Sequence, residues 1–280
     1  MSVQALATTQ YFSIRMIPGL WASFARVEPR LAAVGVLLLI ALAPTLGAAL
    51  MDGRTLNGEN MWLKPLKFEL SLSLFALSLV YFARFLPVAL RQSRRYRMFS
   101  SAVVAAIVLE MMWILGAAAA GTASHFNTEI PFMTAIYGLM GLLAVLLTSV
   151  TTVYALAIWR DPKSTLPAIS RQGLGLGLGL VLPLTLLTAG YMSSQGGHLV
   201  EVATNHSGAI PGVGWSATAG DLRVPHFFAT HIMHVIAPIA LWLGWLRPLI
   251  NPLAIQLLTL IYVGGTLAIF WQALAGHPLF

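Results

Sequence analysis

A polar, histidine-rich segment runs directly into a long apolar segment at residues 220–246, GDLRVPHFFATHIMHVIAPIALWLGWL. The apolar part, residues 227–246, has the length of a transmembrane helix, which needs about 20 mostly apolar residues. The polar part brings three histidines, an Asp and an Arg to the start of that helix. Ionisable groups at the edge of a membrane span are costly and need a reason. The segment therefore predicts a transmembrane helix that forms one wall of a site.

Six further apolar runs of similar length occur in the chain, whose 280 residues are 58% hydrophobic and only 9% charged. Soluble domains average about 25% charged residues, so most of this chain must face lipid or other helices. We expect an all-α polytopic membrane protein, a bundle of about seven transmembrane helices in one domain, residues 31–280, behind a cytoplasmic interfacial segment, residues 1–30. The predicted spans are residues 31–51, 66–89, 99–120, 132–158, 173–192, 227–246 and 253–275.

Basic residues are divided unequally between the two sides of this predicted bundle. With the N-terminus inside, 12 of the 16 Lys and Arg residues are cytoplasmic and four are external, namely Arg54, Lys64, Lys67 and Arg223. The positive-inside rule then predicts a cytoplasmic N-terminus, an external C-terminus and a long external loop at residues 193–225. We expect a bacterial cytoplasmic (inner) membrane location with the lipid bilayer as partner. Because the basic residues form short clusters between apolar runs, no nucleic-acid partner is expected.

Two features of the composition limit the kinds of cofactor site that the chain can form and indicate how its helices pack. The chain has no cysteine, which excludes disulfides, thiolate zinc sites, iron–sulfur clusters and c-type haem attachment. Gly173, Gly175, Gly177 and Gly179 open the fifth predicted span, and glycines four apart share one helix face. Such faces let another helix approach closely.

The histidines of the sixth span are the strongest candidates for metal ligands. At about 100° per residue, His226, His231 and His234 fit one broad helix face, and the last two are one turn apart. His125, at the outer end of the third span, is the first candidate for a further ligand. Neutral imidazole suits haem iron, copper and zinc alike. The expected cofactor is therefore haem b or a transition metal ion, copper or zinc, near the outer membrane face.

Charged residues near the same level complete the predicted site. Glu110 lies midway along a span, where an ionised carboxylate is expensive, so we expect it to be paired or protonated. Glu110 and then Glu69 are the candidates for catalytic or proton-carrying carboxylates. Lys64, Lys67 and Arg223 form a predicted cationic rim that would bind cofactor carboxylates such as haem propionates. The alternative for these cations is pairing with carboxylates of the chain itself, and for the histidines it is polar packing.

Three functions fit these features. The first is a haem- or metal-dependent membrane oxidoreductase, with a quinone or another membrane subunit as its partner. The second is a zinc-dependent membrane hydrolase acting on lipid, since zinc on three His or carboxylate ligands activates water. The third is a transporter or a structural subunit of a membrane complex, in which Glu110 would carry protons.

Overall fold

A computed structural model describes residue 22 and residues 24–56, 58–200, 210 and 212–280, and these residues are mostly helical. Most of the predicted interfacial segment, residues 1–30, lies outside the described residues. Two short antiparallel strand pairs occur, β1 (Thr55–Leu56) with β2 (Glu59–Asn60) and β3 (Leu199–Val200) with β4 (Gly220–Asp221). The helices are α1 (Pro29–Met51), α2 (Leu63–Phe82), α3 (Val88–Gln92), α4 (Arg94–Ala120), α5 (Pro131–Trp159), α6 (Ala168–Gly179), α7 (Val181–Ser194), α8 (Arg223–Leu246) and α9 (Leu253–Leu274).

Seven helical units of the described chain are long and apolar enough to cross a membrane, as the sequence predicted. α6 and α7 together form one of them, and α2 is extended to Phe85 by a 3₁₀ turn. The second unit ends before the predicted residue 89. Leu86 is extended because it precedes Pro87, whose ring disfavours the helical conformation of the residue before it.

Local sequence signals set the ends of the helix that carries Glu110. At the start of α4, the Ser93 side chain caps the helix by accepting a hydrogen bond of 3.1 Å from the backbone nitrogen of Tyr96. At its end, Gly121 adopts a left-handed conformation with φ of 77°, which a residue without Cβ does at little cost.

Prolines alter two helices of the second half of the chain: one helix is broken, and the other continues but loses a backbone hydrogen bond. The break between α6 and α7 lies at Leu180. It follows from Pro183, which cannot donate a hydrogen bond to the carbonyl of Gly179 and whose ring crowds it. Pro238 lies inside α8 and deprives the His234 carbonyl of its helical partner in the same way.

The helices pack as two groups. In the first group α1 packs on α2 and both contact α4, while in the second α8 packs on α6, α7 and α9. α5 joins the groups, because it contacts α4 on one side and α6 and α7 on the other. α2 and α8 meet between the groups where Ser78 contacts His234, and we call this region the seam.

The predicted glycine faces are both used in packing. A Cβ on Gly173 would lie 2.0 Å from the Cβ of Ala240, so this face of α6 meets α8 at glycine distance. A Cβ on Gly175 would lie 3.3 Å from the ring of Trp159 on α5. Ser170 adds a hydrogen bond of 3.1 Å from its hydroxyl to the carbonyl of Ala240. α6 is therefore held closely between α5 and α8.

The two ends of the bundle differ in their connections. The loop-rich end carries the connections 52–62, 121–130 and 195–222, and the arginine-rich end carries the connections 83–93, 160–167 and 247–252. At the loop-rich end, Arg54 donates to the carbonyl of Ala119 at 3.2 Å, and the Trp62 indole donates to Asp52 at 2.9 Å. Hydrogen bonds from Arg54 and Trp62 hold the pKa of Asp52 well below its usual range.

Candidate functional site

The two histidines one turn apart on α8 meet each other and α2. His231 Nδ1 and His234 Nδ1 are 3.1 Å apart, and His234 Nε2 lies 3.0 Å from the hydroxyl oxygen of Ser78. One proton shared between the two Nδ1 atoms accounts for the short contact, since each neutral imidazole has one donor and one acceptor nitrogen. Ser78, His234 and His231 therefore form a continuous hydrogen-bonded chain across the seam.

His234 is the deeper member of this pair. At 1.5 Å rise per residue, His234 is about 16 Å along α8 from Arg223, close to the middle of the helix. Glu110 is about 15 Å from the end of α4 at Ala120 and so lies at a similar depth below the loop-rich end. His234 and Glu110 therefore both lie near the middle of the bundle, at a similar distance below the loop-rich end.

His226 has different partners from the His231–His234 pair. Its Nδ1 lies 3.3 Å from the hydroxyl of Thr188 on α7, one helix away from the seam. Phe227 packs its ring on that of His231 with centroids 4.2 Å apart, and Trp215 packs on Phe227 at 5.5 Å. The aromatic rings thus cover the loop-rich side of the pair.

His125 lies at the loop-rich end, where its contacts are with α2, with α5 and with its own loop. The His125 ring packs on Phe68 at 5.7 Å, and its Nδ1 lies 3.1 Å from the hydroxyl of Ser124. Burial, with a smaller contribution from the charge of Lys64, lowers the pKa of His125 to about 3. His125 is therefore neutral at physiological pH.

Glu110 has an incompletely satisfied carboxyl group. Only 5% of the residue is exposed, and its Oε1 has no hydrogen-bond partner among the described residues. A buried acceptor without a partner is unfavourable, so this oxygen is a point where a proton, a water molecule or a ligand would be stabilised.

Two cations of the predicted rim pair with carboxylates of the chain. Arg223 forms an ion pair of 2.6 Å with the buried Asp221, and it also donates to the carbonyl of Gly214. Lys67 lies 3.7 Å from Glu59 and donates to the carbonyl of Val213 at 3.2 Å. These contacts fold the described part of the 193–225 loop onto the start of α2.

Glu69 lies away from both histidine groups. It is fully buried between α1 and α2, where its Oε1 accepts a hydrogen bond of 2.7 Å from Thr45. Its Oε2 has no hydrogen-bond partner among the described residues. His198, on the described part of the long loop, has its pKa lowered to about 4 by burial and by the charge of Arg223.

Sequence reasoning did not identify Ser78, although a signal exists. Lys64, Lys67, Ser71 and Ser78 follow each other on α2 at intervals of three, four and seven residues. Such intervals place side chains on one helix face. This polar stripe on an apolar helix marks the face that α2 turns toward the seam.

A second buried polar cluster, at the arginine-rich end, was also not predicted. The Glu28 carboxylate accepts hydrogen bonds from the hydroxyl groups of Tyr96 at 2.8 Å and Ser100 at 2.6 Å. The Tyr96 hydroxyl also lies 2.7 Å from that of Tyr154. The cluster fixes the start of α1 on α4 and α5, and its distance from the seam indicates a structural role.

The predicted ligands have separate partners, and no three His, Asp or Glu side chains of the described chain converge as a metal-binding group. The closest pair is His231 with His234. No family model, curated protein or solved structure matches this chain. The site must therefore be interpreted from its own geometry.

Proposed function

We propose that this chain is an integral membrane protein with a cytoplasmic N-terminus and an external C-terminus, and that His231 and His234 bind one transition metal ion in a redox role. The observation that carries the proposal is the 3.1 Å separation of their Nδ1 atoms. Two nitrogen ligands at 2.0–2.1 Å from a tetrahedral ion are about 3.3 Å apart. The two rings therefore need to move little to share an ion in place of a proton.

The contact between His234 and Ser78 supports the same proposal. A metal-ligating histidine usually directs its other ring nitrogen to a hydrogen-bond partner, which fixes the ring and its tautomer. His234 Nε2 has such a partner in the Ser78 hydroxyl at 3.0 Å. The remaining ligand positions would be open to water, a substrate or a partner subunit, because the pair supplies two donors.

A single ion fits this pair better than a haem held by both histidines. Two axial haem ligands lie on opposite faces of the macrocycle, whereas His231 and His234 are three residues apart on one helix with ring centroids 4.9 Å apart. A haem would thus use one of them and a ligand from another element. We therefore favour copper or another nitrogen-preferring ion.

The depth of the pair favours electron transfer over lipid hydrolysis. Ester bonds of lipids lie at the headgroup level, but His234 is about 16 Å along α8 from its start. A membrane-soluble electron carrier such as a quinone reaches that depth. Quinone chemistry also moves protons, and Glu110, which lies at a similar depth to His234, would exchange them. The alternative function is a zinc-dependent hydrolase, and identification of the bound metal would distinguish it from the redox function.

Metal analysis combined with an optical spectrum of the purified protein tests this proposal. We expect about one redox-active metal ion per chain, lost when both His231 and His234 are replaced by alanine. The His226→Ala variant is the matched control, because His226 is on the same helix but contacts Thr188. A Soret band would instead indicate haem, and zinc with lipid hydrolysis would support the hydrolase. A protein that contains neither metal nor haem would contradict both the redox proposal and the hydrolase alternative.

A further inference from the structure

A cavity opens at the arginine-rich end, remote from the histidines. It has a volume of about 380 Å³ and lies between the end of α2 and the connection from α5 to α6. Its walls include Arg84 and Lys163 together with the apolar side chains of Phe85, Leu86 and Leu166. The cavity is therefore amphipathic, with cationic and apolar walls in contact.

The two cations are available for an anionic ligand. The Arg84 guanidinium packs on the rings of Phe24 and Tyr81 at 5.2 and 5.6 Å, and no described carboxylate forms an ion pair with it. A guanidinium stacked on an aromatic ring keeps its in-plane N–H groups free to bind phosphate bidentately. The Lys163 side chain is exposed and likewise has no ion-pair partner among the described residues.

One carboxylate also lines the cavity, but it is engaged locally. Asp161 accepts a hydrogen bond of 2.9 Å from the backbone nitrogen of Lys163. This contact stabilises the turn that carries Lys163, and it occupies one of the two oxygens of the Asp161 carboxylate. The cavity therefore has two cations against one partly engaged anion.

We propose that this cavity binds the phosphate headgroup of an anionic phospholipid from the cytoplasmic leaflet. Arg84 and Lys163 would hold the phosphate, and the apolar wall would contact the glycerol and the first acyl carbons. Basic pockets between transmembrane helices on the cytoplasmic side bind anionic headgroups in this way. This inference rests on the membrane insertion and orientation proposed above, but it does not depend on a metal at His231 and His234.

Native mass spectrometry of the protein released from nanodiscs tests the assignment, with equal amounts of phosphatidylglycerol and phosphatidylcholine present. We expect phosphatidylglycerol to be retained preferentially by the wild type. In the Arg84→Gln, Lys163→Gln double variant the preference should fall about thirtyfold, since each of the two cations at an anionic surface contributes about 1 kcal/mol. The Arg84→Lys variant keeps the charge but loses the bidentate geometry, and it should show a partial loss.

The matched control is the Arg94→Gln, Arg97→Gln double variant, which removes two exposed charges from the same end without touching the cavity. It should keep the phosphatidylglycerol preference, and circular dichroism verifies that each variant is folded. An equal loss in both double variants would attribute the preference to general surface charge and overturn the proposal. Retention of no anionic lipid by the wild type, or full displacement by millimolar inorganic phosphate, would also overturn it.

Discussion

Tyr96 has one hydroxyl proton and two oxygen neighbours, so the direction of its hydrogen bonds is determined. It donates to the Glu28 carboxylate at 2.8 Å, and the Tyr154 hydroxyl must then donate to it at 2.7 Å. The sequence could not reveal this chain of donors. Glu28 lies just before the first apolar run, where a lone carboxylate looks like an ordinary helix-start residue, and its partners are more than 60 residues away.

The Glu28 cluster gives a graded prediction at the residue scale. Glu28→Ala leaves the hydroxyl groups of Tyr96 and Ser100 without their buried acceptor and should destabilise the protein by roughly 2–4 kcal/mol. Tyr154→Phe removes one donor and should cost only about 1 kcal/mol. Thermal unfolding in detergent measures both. If the two variants were equally stable, the cluster would have no special structural role.

His125 predicts a loss of stability in acid. Because its pKa is about 3 in the folded protein and near 6.5 when unfolded, folding favours the neutral ring. Its contribution is complete above pH 6.5 and is lost as the pH falls from about 6.5 toward 3, since protonation then favours the unfolded state. The unfolding midpoint should therefore fall less steeply with pH in His125→Gln than in the wild type. Parallel pH profiles would contradict the burial of this ring.

The sequence predicted those properties of the helices that depend on their length and hydropathy. The seven apolar runs became seven helical units, and the alternate glycines of α6 became two packing faces. The pattern did not show which helices face each other, because an apolar helix surface suits lipid and protein neighbours equally. His125 was therefore grouped with the α8 histidines, whereas its contacts are with Ser124, Phe68 and Tyr137.

The close contact of α6 with α8 predicts that a larger residue in place of Gly173 destabilises the protein. Gly173→Ala places a Cβ 2.0 Å from that of Ala240, so the helices must separate, at an expected cost of about 1–3 kcal/mol. Gly264→Ala is the control, because nothing lies within 4 Å of its added Cβ. Removing a mid-helix glycine there should be neutral or stabilise by up to about 1 kcal/mol. Equal thermal stability of the two variants would contradict the close packing.

At the scale of the whole molecule, charge distribution predicts the orientation. The positive-inside rule puts the arginine-rich end in the cytoplasm. The cysteine-free chain allows single cysteines to be introduced without a background. Thr128→Cys, on the exposed loop-rich end, should react with a membrane-impermeant maleimide in intact cells. Lys163→Cys should react only after permeabilisation. The reverse labelling pattern would overturn the orientation and the lipid-binding proposal with it.

The two ends and the seam together give the molecule its proposed organisation. The histidine pair that we propose to bind a metal lies between the two helix groups, and the cavity that we propose to bind a lipid headgroup lies at the arginine-rich end. The histidine pair carries the proposed function, because only α8 contributes two imidazoles in contact with each other among the described residues.

Equilibrium titration of the metal-free protein with Cu²⁺ tests this pair most directly. We expect one ion per chain, with the proton shared by the two Nδ1 atoms moving to the Nε2 atom of the ring that carried it. Ser78→Ala should weaken binding about 10- to 100-fold, as loss of a ligand's supporting hydrogen bond does, and His226→Ala should leave it unchanged. Binding that is absent in the wild type, or unaltered when both His231 and His234 are replaced by alanine, would contradict the account.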